Sequence, residues 1–361
     1  MKSMLFDARM KRDSGIGVYI QNLLPELRKH FKLTILASDE ADILMPAPIY
    51  SITEQASFAK IKGRYDLMWS PHYNVPIFNP ARKSIVTIHD VFHLAFFNLL
   101  PLKQKLYAQV MLRKAASSNV IFTVSEFSRN EISKYLGIPL PKIKVVYNGI
   151  DAAHFSKSYS DKETTSLREK YRLATDYVLF VGNVKPHKNL KNALLAFKAF
   201  VLSNSNSAAA NLKFVIVGKR DGFITGDRAI AAMSHEEFFK ERVDFTGWVP
   251  DEDLPFIYQQ ARVFMFTSLY EGFGFPPLEA MAAGCPVISS DAACMPEIYG
   301  DAALYFNASS VEASTNALEK FFDRTTNVPA LIEKGRERAA RFTWEKSNRE
   351  ALAYLRELNL L

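Results

Sequence analysis

Residues 266–288, FTSLYEGFGFPPLEAMAAGCPVI, carry the strongest fold signal in this chain. The apolar run 263–266 is typical of a buried strand end, and a glycine-rich loop follows at 271–275. Two prolines come next, and proline suits the first positions of a helix because the N–H group there has no intrahelical partner. We predict a helix over 278–283 that Gly284 closes. The stretch therefore predicts a strand–loop–helix unit of an α/β protein.

Two carboxylates frame this loop. Glu271 lies at its start, and Glu279 comes eight positions later, in the predicted first turn of the helix. Backbone N–H groups before a helix, together with the helix N-terminus, attract an anion such as phosphate. A carboxylate beside them can accept paired hydrogen bonds from a diol such as ribose. The structural alternative is an ordinary strand–turn–helix with a capping glutamate.

The composition limits the classes of protein that this chain can represent. Its 361 residues suggest two domains, and a hydrophobic content of 48% is typical of a globular protein. Two cysteines are too few for a disulfide framework, which favours a reducing compartment. We see no secretory signal and no apolar run of the roughly 18 residues that span a bilayer. We therefore expect a cytoplasmic protein.

Positive charge is concentrated in the N-terminal part of the chain. Residues 1–155 contain 20 Lys and Arg against 12 Asp and Glu, whereas the remainder contains 25 against 26. One predicted helix carries Lys103, Lys105, Arg113 and Lys114. This pattern indicates either a solvated helix face or contact with anionic lipid or a phosphorylated acceptor. Nucleic acid is not an expected partner, because no recognition motif accompanies the charge.

The N-terminus begins a doubly wound α/β domain. The sequence predicts a strand at 3–7, a loop at 14–17 and a helix at 18–30. Only Gly15 and Gly17 are present in the loop, so the full dinucleotide-binding fingerprint is absent. These glycines indicate either a tight turn or a close approach of the backbone to a ligand.

Polar side chains follow two further predicted strands of this half. His72 and Asn74 come after the strand at 65–69, and His89-Asp90 follows the strand at 84–88 directly. The carboxyl ends of parallel strands are where open α/β sheets bind ligands. His72 and Asn74 are either acceptor contacts or ordinary loop residues. His89 is either a site residue or a buried histidine that caps a turn.

The other predicted elements alternate along the chain. Further strands are predicted at 33–37, 49–52, 119–124, 143–146, 177–181, 212–217, 243–245 and 303–306, and further helices at 102–116, 128–136, 190–202, 254–261, 311–322, 332–342 and from 344 towards 358.

Charged residues and a glycine mark the strand ends of the C-terminal half. Lys188 precedes a predicted helix, where it can meet a diphosphate as a point charge. Gly218 ends a predicted strand and allows a close approach of the backbone. Residues 251–253, Asp-Glu-Asp, superficially look like a metal-binding motif, but they precede a helix and fit an acidic helix N-terminus. We expect no essential metal and no other cofactor.

Several of these motifs occur together in one order: Gly15 and Gly17, His89-Asp90, the loop 182–189 with Lys188, and Glu271 with Glu279. In this combination the chain resembles, over essentially its whole length, the retaining glycosyltransferases of glycosyltransferase family 4. Its loops look most like those of mannosyltransferases of bacterial surface-polysaccharide assembly.

The resemblance implies the α/β fold called GT-B, in which two Rossmann-like domains face a central cleft. Residues 1–155 would form the acceptor domain, with a C-terminal helix at 345–361 crossing back to it. Residues 156–344 would form the nucleotide-sugar donor domain.

The resemblance also implies roles for individual residues. His89 would lie near the reacting carbon of the donor sugar, and Glu271 would hold sugar hydroxyls, so both are candidate catalytic residues. Glu279 would hold the ribose, and Lys188 the diphosphate. The remaining donor-binding candidates are Gly15, Gly17, Asn183, Gly218, Trp248, Val249, Gly272, Phe273, Gly274 and Phe275. Trp248-Val249 would lie against the base, although a packing role for Trp248 is the alternative.

Asn183 departs from the family pattern, because an arginine is usual at that position. The departure removes one positive charge from the leaving group. GDP-mannose is the expected donor, and a saccharide or lipid-linked saccharide the expected acceptor, with peripheral contact to the inner membrane through the basic half. Two alternatives remain: an epimerase or hydrolase of the same fold, for which no acid–base pair is found, and a non-catalytic nucleotide-sugar scaffold, which only Asn183 favours.

Overall fold

The computed structural model describes residues 1–12, 14–183, 185–204, 209–218, 228–233, 235–323 and 325–361. The chain forms two compact units, which consist of residues 1–149 with 343–361 and of residues 150–342. The predicted domain limits at 155 and 344 lie a few residues after these divisions. Each unit is built on its own parallel sheet.

The first unit contains a seven-stranded sheet. Its strands are β1 (Ser3–Asp7), β2 (Lys32–Ala37), β3 (Ile43–Leu44), β4 (Tyr65–Ser70), β5 (Ala81–Thr87), β6 (Val120–Thr123) and β7 (Ile143–Val145). The strands pair in parallel in the order β3-β2-β1-β4-β5-β6-β7. The strand order reverses between β1 and β4, and such a switch point is where doubly wound sheets bind ligands.

Five helices precede the second unit: α1 (Ser14–His30), α2 (Ile52–Phe58), α3 (Phe92–Ala95), α4 (Leu102–Ala116) and α5 (Glu126–Leu136). Ser125 caps α5, since its Oγ accepts a hydrogen bond from the Ser128 N–H at 3.1 Å. In one core of this unit Trp69 stacks on Phe122 at a ring-centroid distance of 5.3 Å and packs against the tilted ring of Phe6 at 6.2 Å. Strand β6 is largely apolar and buried along its whole length, as expected of a strand in a sheet that is covered on both faces.

The second unit contains a six-stranded parallel sheet. Its strands are β8 (Tyr177–Val181), β9 (Lys213–Val217), β10 (Val243–Gly247), β11 (Val263–Phe266), β12 (Val287–Ser290) and β13 (Leu304–Phe306). Their order is β10-β9-β8-β11-β12-β13, so the switch point lies between β8 and β11. The loops that leave these two strands contain Lys188 and Glu271.

The remaining helices are α6 (Ala152–Phe155), α7 (Asp161–Tyr171), α8 (Leu190–Ser203), α9 (Arg228–Met233), α10 (Glu237–Arg242), α11 (Leu254–Gln260), α12 (Phe275–Ala282), α13 (Met295–Tyr299), α14 (Val311–Phe322), α15 (Val328–Ala339) and α16 (Trp344–Glu357). The last of these belongs to the first unit, where Asn348 donates to the Asn22 carbonyl at 3.0 Å. None of the helices in the described part of the chain has both the length and the apolar character that a bilayer crossing requires.

Two predicted elements near the N-terminus are wrong. No strand forms at 49–52, because Tyr50 takes a left-handed φ of 67° and Ser51 caps α2 instead. The loop predicted at 14–17 is also absent, because α1 already begins at Ser14. Gly15 and Gly17 therefore lie in the first turn of a helix.

Two C-terminal helices begin earlier than predicted. The helix placed at 332–342 is α15, where Asn327 caps the N-terminus by accepting from the Ala330 N–H at 3.1 Å. Helix α12 begins at Phe275 rather than at 278, since Pro276 and Pro277 fit its first turn. Glu279 consequently lies in the second turn of α12, not in the first.

Candidate active site

The loop between β11 and α12 is held in one backbone conformation. Gly274 precedes α12 with a left-handed φ of 81°. A Cβ atom at this position would collide with the hydroxyl of Tyr299, which donates to the Gly274 carbonyl at 3.0 Å. Only glycine fits both constraints. The buried segment 272–274 is thus fixed directly before the positive end of the α12 dipole, where an anion is stabilised.

Lys188 and Glu271 form an ion pair at this loop. The Lys188 Nζ donates to Glu271 Oε1, and it lies 5.7 Å from the centroid of the Phe266 ring. The two side chains are 18% and 14% exposed, so the pair is neither sealed in the core nor fully solvated. Because the two residues follow the neighbouring strands β8 and β11, the pair stands at the switch point of the second unit.

Backbone contacts fix the pair's geometry. The Thr267 hydroxyl donates to the Lys188 carbonyl at 2.8 Å, and the Leu269 N–H donates to the His187 carbonyl at 2.7 Å. Asn189 then adopts a left-handed φ of 54° before α8 begins. These bonds join the loop after β8 to the loop after β11. Lys188 is therefore held beside the loop that leads into α12.

Glu279 has an unusual protonation equilibrium. Burial raises its pKa to about 7, and the negative charge of Asp251 adds to the increase. The Tyr258 hydroxyl, which donates to Glu279 Oε2 at 2.9 Å, acts in the opposite direction. The carboxyl group is thus partly protonated at neutral pH, and it presents both an acceptor and a donor to a diol.

Glycines end three adjacent strands of the second sheet. Gly182, Gly218 and Gly247 have φ values of 152°, 158° and 75°. The Gly218 N–H donates to the Gly247 carbonyl at 3.1 Å, and a Cβ atom on Gly218 would lie 3.2 Å from the Gly182 carbonyl oxygen. The three backbones consequently form a surface without side chains at the carboxyl edge of the sheet.

Three other donor-binding candidates differ in exposure. The Trp248 side chain is 70% exposed, so the packing role considered for it is wrong. Val249 is buried, which leaves its neighbour Trp248 as the group that a base could reach. Asn183 is exposed, and its carbonyl accepts from the Lys185 N–H at 2.9 Å.

The acidic segment 251–253 is held by contacts with other residues of the protein. Asp253 accepts hydrogen bonds from the Lys170 ammonium at 2.7 Å and from the Tyr171 hydroxyl at 2.6 Å. Burial acts to raise the pKa of Asp253, but these two groups lower it below its usual value. The described residues contain no cluster of three or more His, Cys, Asp or Glu arranged to hold a metal ion.

His89 lies after β5 in the first unit, and its tautomer follows from its contacts. Its Nε2 is 2.9 Å from the Pro71 carbonyl, which can only accept, so Nε2 carries the proton and Nδ1 is the acceptor atom. Burial lowers the pKa of His89, so the ring is neutral at pH 7. Ser128 donates to the His89 carbonyl at 2.9 Å, and Asp90 accepts from the Phe92 N–H at 2.9 Å, so both bonds hold the loop after β5.

The two N-terminal glycines lie on the first turn of α1. A Cβ atom on Gly17 would lie 2.8 Å from the Lys11 carbonyl oxygen, so glycine is required there by packing against the preceding turn. This contact favours the tight-turn interpretation of Gly17. The role of Gly15 and Gly17 toward a donor stays a prediction.

Sequence reasoning missed a buried ionic cluster in the first unit. Arg9 contacts Asp7 at 2.6 Å and also pairs with Glu54, and the side chains of all three have no exposed surface. Asn74 donates to Glu54 at 2.6 Å, and His72 lies 4.0 Å from Asp7. No sequence signal announces this cluster, because Asp7 and Arg9 alternate with apolar residues like any strand end.

Sequence reasoning also missed two tyrosines, Tyr258 and Tyr299, which contact helix α12 and the loop before it. Both are buried residues of short helices with several apolar neighbours, where tyrosine is an ordinary core residue. Their hydroxyl groups fix Glu279 and Gly274, respectively.

Two family models match the chain. The model described as Glycosyltransferase Family 4 matches residues 14–154, and the model described as Glycosyl transferases group 1 matches residues 162–338.

Several curated proteins are similar in sequence. O-antigen chain mannosyltransferase B of Escherichia coli is 29% identical over 286 residues, which cover 78% of this chain and 72% of that protein. O-antigen chain mannosyltransferase RfbU of Salmonella typhimurium is 26% identical, with 78% and 71% covered. Serotype-specific mannosyltransferase WbdA of Escherichia coli is 26% identical over 63% of this chain, which spans only 27% of that protein.

Solved structures share the fold. The sucrose-phosphate synthase of Thermosynechococcus elongatus superposes with a TM-score of 0.77 at 17% identity, over 99% of both chains. Anabaena HepE, solved in complex with UDP-glucose, gives a TM-score of 0.74 at 17% identity, over 99% of this chain and all of that one. Two parallel-sheet Rossmann-like units thus form the α/β architecture of GT-B glycosyltransferases.

Proposed function

We propose that this chain, which belongs to the glycosyltransferases of group 1 and family 4, transfers a hexosyl group from a nucleoside diphosphate sugar with retention of anomeric configuration. The observation that carries the proposal is the Lys188–Glu271 pair at the α12 N-terminus. It combines a cation for the diphosphate with a carboxylate for the sugar. GDP-mannose is the proposed donor, since similar proteins are O-antigen mannosyltransferases.

Donor binding would exchange the partners of Lys188. A diphosphate carries more negative charge than one carboxylate, and the α12 N-terminus adds favourable backbone dipoles. Lys188 would therefore leave Glu271 for the diphosphate. Glu271 would then accept hydrogen bonds from the hydroxyls of the transferred sugar, and Glu279 would hold the ribose. In this proposal Lys188 and Glu271 bind each other in the free enzyme. When the donor binds, Lys188 contacts the diphosphate and Glu271 contacts the sugar.

The backbone and the aromatic side chain complete the proposed donor site. The N–H groups of residues 272–275 would face the diphosphate, and Gly218 would let the chain approach the nucleotide. Trp248 would offer its exposed ring to the base. Because Asn183 stands where an arginine is usual, Lys188 and the α12 dipole would carry more of the stabilisation of the leaving diphosphate.

The proposed reaction needs no protein nucleophile. The departing diphosphate takes the proton from the acceptor hydroxyl on the face that it leaves, and the new glycosidic bond forms on that face. The protein then has to stabilise an oxocarbenium-like sugar and a departing anion. We propose that the neutral His89 ring accepts a hydrogen bond from the substrate through Nδ1, without adding a positive charge beside the developing cation. No essential metal takes part in this scheme.

The acceptor is proposed to be a saccharide or lipid-linked saccharide at the cytoplasmic face of the membrane. On α4, Leu102, Leu106 and Val110 recur every four residues, and each is more than half exposed. Lys103 and Arg113 lie on the same helix. An apolar stripe with basic flanks fits an anionic bilayer surface. Co-sedimentation with phosphatidylglycerol vesicles should be reduced in Leu106→Glu, and equal sedimentation of both proteins would refute membrane contact.

The function is tested by offering the protein GDP-mannose, UDP-glucose and other sugar nucleotides with methyl hexosides as acceptors. Proton NMR of the product reads the anomeric configuration directly. The proposal predicts an α-linked product from an α-linked donor, with release of the nucleoside diphosphate. A β-linked product, or conversion of the sugar nucleotide without an acceptor as an epimerase would perform, would overturn it.

A further inference from the structure

Five aromatic side chains form a cluster in the first unit: Tyr50, His72, Tyr73, His93 and Tyr107, named here the aromatic cluster. Tyr50 and Tyr73 stack at a centroid distance of 6.0 Å, and Tyr107 meets Tyr50 edge-on at 5.7 Å. His93 lies 5.5 Å from Tyr73, and His72 lies 6.4 Å from both stacked tyrosines.

Four separate segments of the chain bring this cluster together. They are the residue pair before α2, the loop after β4, the first turn of α3 after β5, and the middle of α4. The cluster therefore stands at the carboxyl ends of β4 and β5, beside the switch point between β1 and β4. This is the edge at which a doubly wound sheet binds its ligand.

Tyr50 has two properties that packing alone does not require. Its backbone takes a left-handed φ of 67°, which is strained for a bulky residue, and its side chain is 44% exposed. The Glu54 carboxylate fixes this conformation by accepting from the Tyr50 N–H at 2.9 Å. Strain that the surroundings maintain, at a large exposed aromatic ring, is typical of ligand sites.

The charges beneath the cluster are already satisfied. The Arg9 guanidinium donates hydrogen bonds to both Asp7 carboxylate oxygens and to Glu54. Glu54 also accepts from Asn74 and, at 3.3 Å, from Tyr107. Because two carboxylates pair with one guanidinium, the residues beneath the cluster carry an excess of negative charge. The rest of this unit is rich in lysine and arginine. Among the described residues, the cation in contact with Asp7 and Glu54 is Arg9, which is already paired with both, so a phosphate or a uronic acid would meet an excess of negative charge here.

His72 supplies a hydrogen-bond donor without a protein partner. Its Nδ1 accepts from the Asn74 N–H at 3.1 Å, and burial lowers its pKa to about 4, so the neutral ring carries its proton on Nε2. Within the part of the chain that the structure describes, this N–H has no hydrogen-bond partner, and Asp7 is the carboxylate nearest to it at 4.0 Å. A ligand hydroxyl at this position would satisfy the group.

We propose that the aromatic cluster is the acceptor subsite and that it selects an uncharged pyranose. The apolar face of the sugar ring stacks on Tyr50, because the C–H groups of that face are attracted to the negative face of an aromatic ring. A slight rotation of Tyr50 gives one sugar hydroxyl access to the His72 Nε2–H. This assignment rests on the proposed glycosyltransferase function. It restricts the acceptor to saccharides whose terminal residue is neutral.

Saturation-transfer NMR with methyl hexosides tests the assignment. The probes are methyl α-mannoside, methyl α-glucoside and, as an anionic comparison, mannose 6-phosphate. We expect transfer to the ring protons of a neutral hexoside, and none to the phosphate. Tyr50→Phe should retain the signal, whereas Tyr50→Ala should weaken binding at least tenfold. Tyr135→Ala, which removes an exposed tyrosine of the same unit outside the cluster, should bind as the wild type does.

His72→Phe provides a second variant that keeps a ring in the core and removes only the donor. We expect weaker hexoside binding and unchanged affinity for the nucleoside diphosphate. Tight binding of mannose 6-phosphate, or wild-type hexoside binding by both Tyr50→Ala and His72→Phe, would overturn the assignment. Calorimetry with GDP and UDP measures nucleotide binding by the same proteins. Nucleotide binding without hexoside binding refutes this subsite alone, whereas absence of nucleotide binding counts against the proposed function.

Discussion

The two units each hold an ion cluster at a sheet switch point, and the clusters differ in exposure. In the first unit, Arg9 with Asp7 and Glu54 is completely buried. Burial acts to raise the pKa of Asp7, and the Arg9 charge overcomes this effect, so that the pKa lies below its usual value. In the second unit, Lys188 and Glu271 remain partly exposed. A cation–carboxylate contact is therefore completely buried in the first unit and partly accessible in the second.

This difference indicates what each cluster can do. A buried charge that loses its partner retains the full cost of desolvation, so the first cluster has to stay paired. The Lys188 and Glu271 side chains keep 18% and 14% of their surface exposed, so solvent and a ligand can reach both groups. Such a pair can exchange one partner for a ligand at small cost. The first cluster therefore has to be kept intact by the fold, whereas the second is the one that we propose to bind substrate.

Removing the buried cation should have the largest effect. Arg9→Met leaves Asp7 and Glu54 buried without a counter-charge, and we expect a loss of about 3–5 kcal/mol in the free energy of unfolding. Urea denaturation measures it. Lys134→Ala removes an exposed cation that pairs with Glu131 in the same unit, and it should cost far less because water already screens the pair. Equal losses in the two variants would contradict the comparison.

A neutral site residue should affect turnover rather than folding. We expect His89→Ala to lower turnover by roughly 10²-fold, because a hydrogen bond to the reacting substrate is lost, while donor affinity changes little. Steady-state kinetics with calorimetry separates the two quantities. His30→Ala, at a surface pair with Glu26, is the control. Turnover near that of the wild type would remove His89 from the mechanism.

The raised pKa of Glu279 should make stability depend on pH. Between its ordinary value near 4.5 and about 7, the folded state holds a proton that the unfolded state has released. Stability should therefore fall as pH rises through this window, by up to about 1.4 kcal/mol per pH unit. Glu279→Gln should remove this dependence in urea titrations at pH 5, 6 and 7. Parallel pH profiles in the two proteins would show that Glu279 titrates normally.

The smallest change in a binding or stability measurement should come from the Lys188–Glu271 pair. Glu271→Gln removes the carboxylate that competes for Lys188, so GDP should bind up to about fivefold more tightly while transfer is lost. Isothermal titration measures the affinity. Asp301→Asn breaks an exposed ion pair with Lys334 in the same unit and should leave it unchanged. Weaker GDP binding in Glu271→Gln would mean that the pair supports the site instead of filling it.

Much of the fold could be predicted from the sequence. Strands β8 and β11 and helices α4 and α14 have the predicted bounds, because apolar runs and helical periodicity are local signals. The prediction was wrong where one residue changed the local geometry, as with the left-handed Tyr50 and the prolines of α12.

The site could be predicted only as a set of residues. Glu271, Glu279 and Lys188 were identified from motifs, but the Lys188–Glu271 bond joins positions 83 residues apart and exists only in the folded chain. The raised pKa of Glu279 and the Arg9 cluster depend on burial, which is a property of the tertiary structure. Motifs therefore gave the candidate residues, and packing determined what each one contacts.

The most direct test of this account is calorimetric titration of GDP, UDP and ADP into the protein without added metal. We predict selective micromolar binding of one nucleotide, GDP above UDP, which Lys188→Ala abolishes. Failure of all three nucleotides to bind would contradict the account, because the Lys188–Glu271 pair would then be a structural contact and not a donor site.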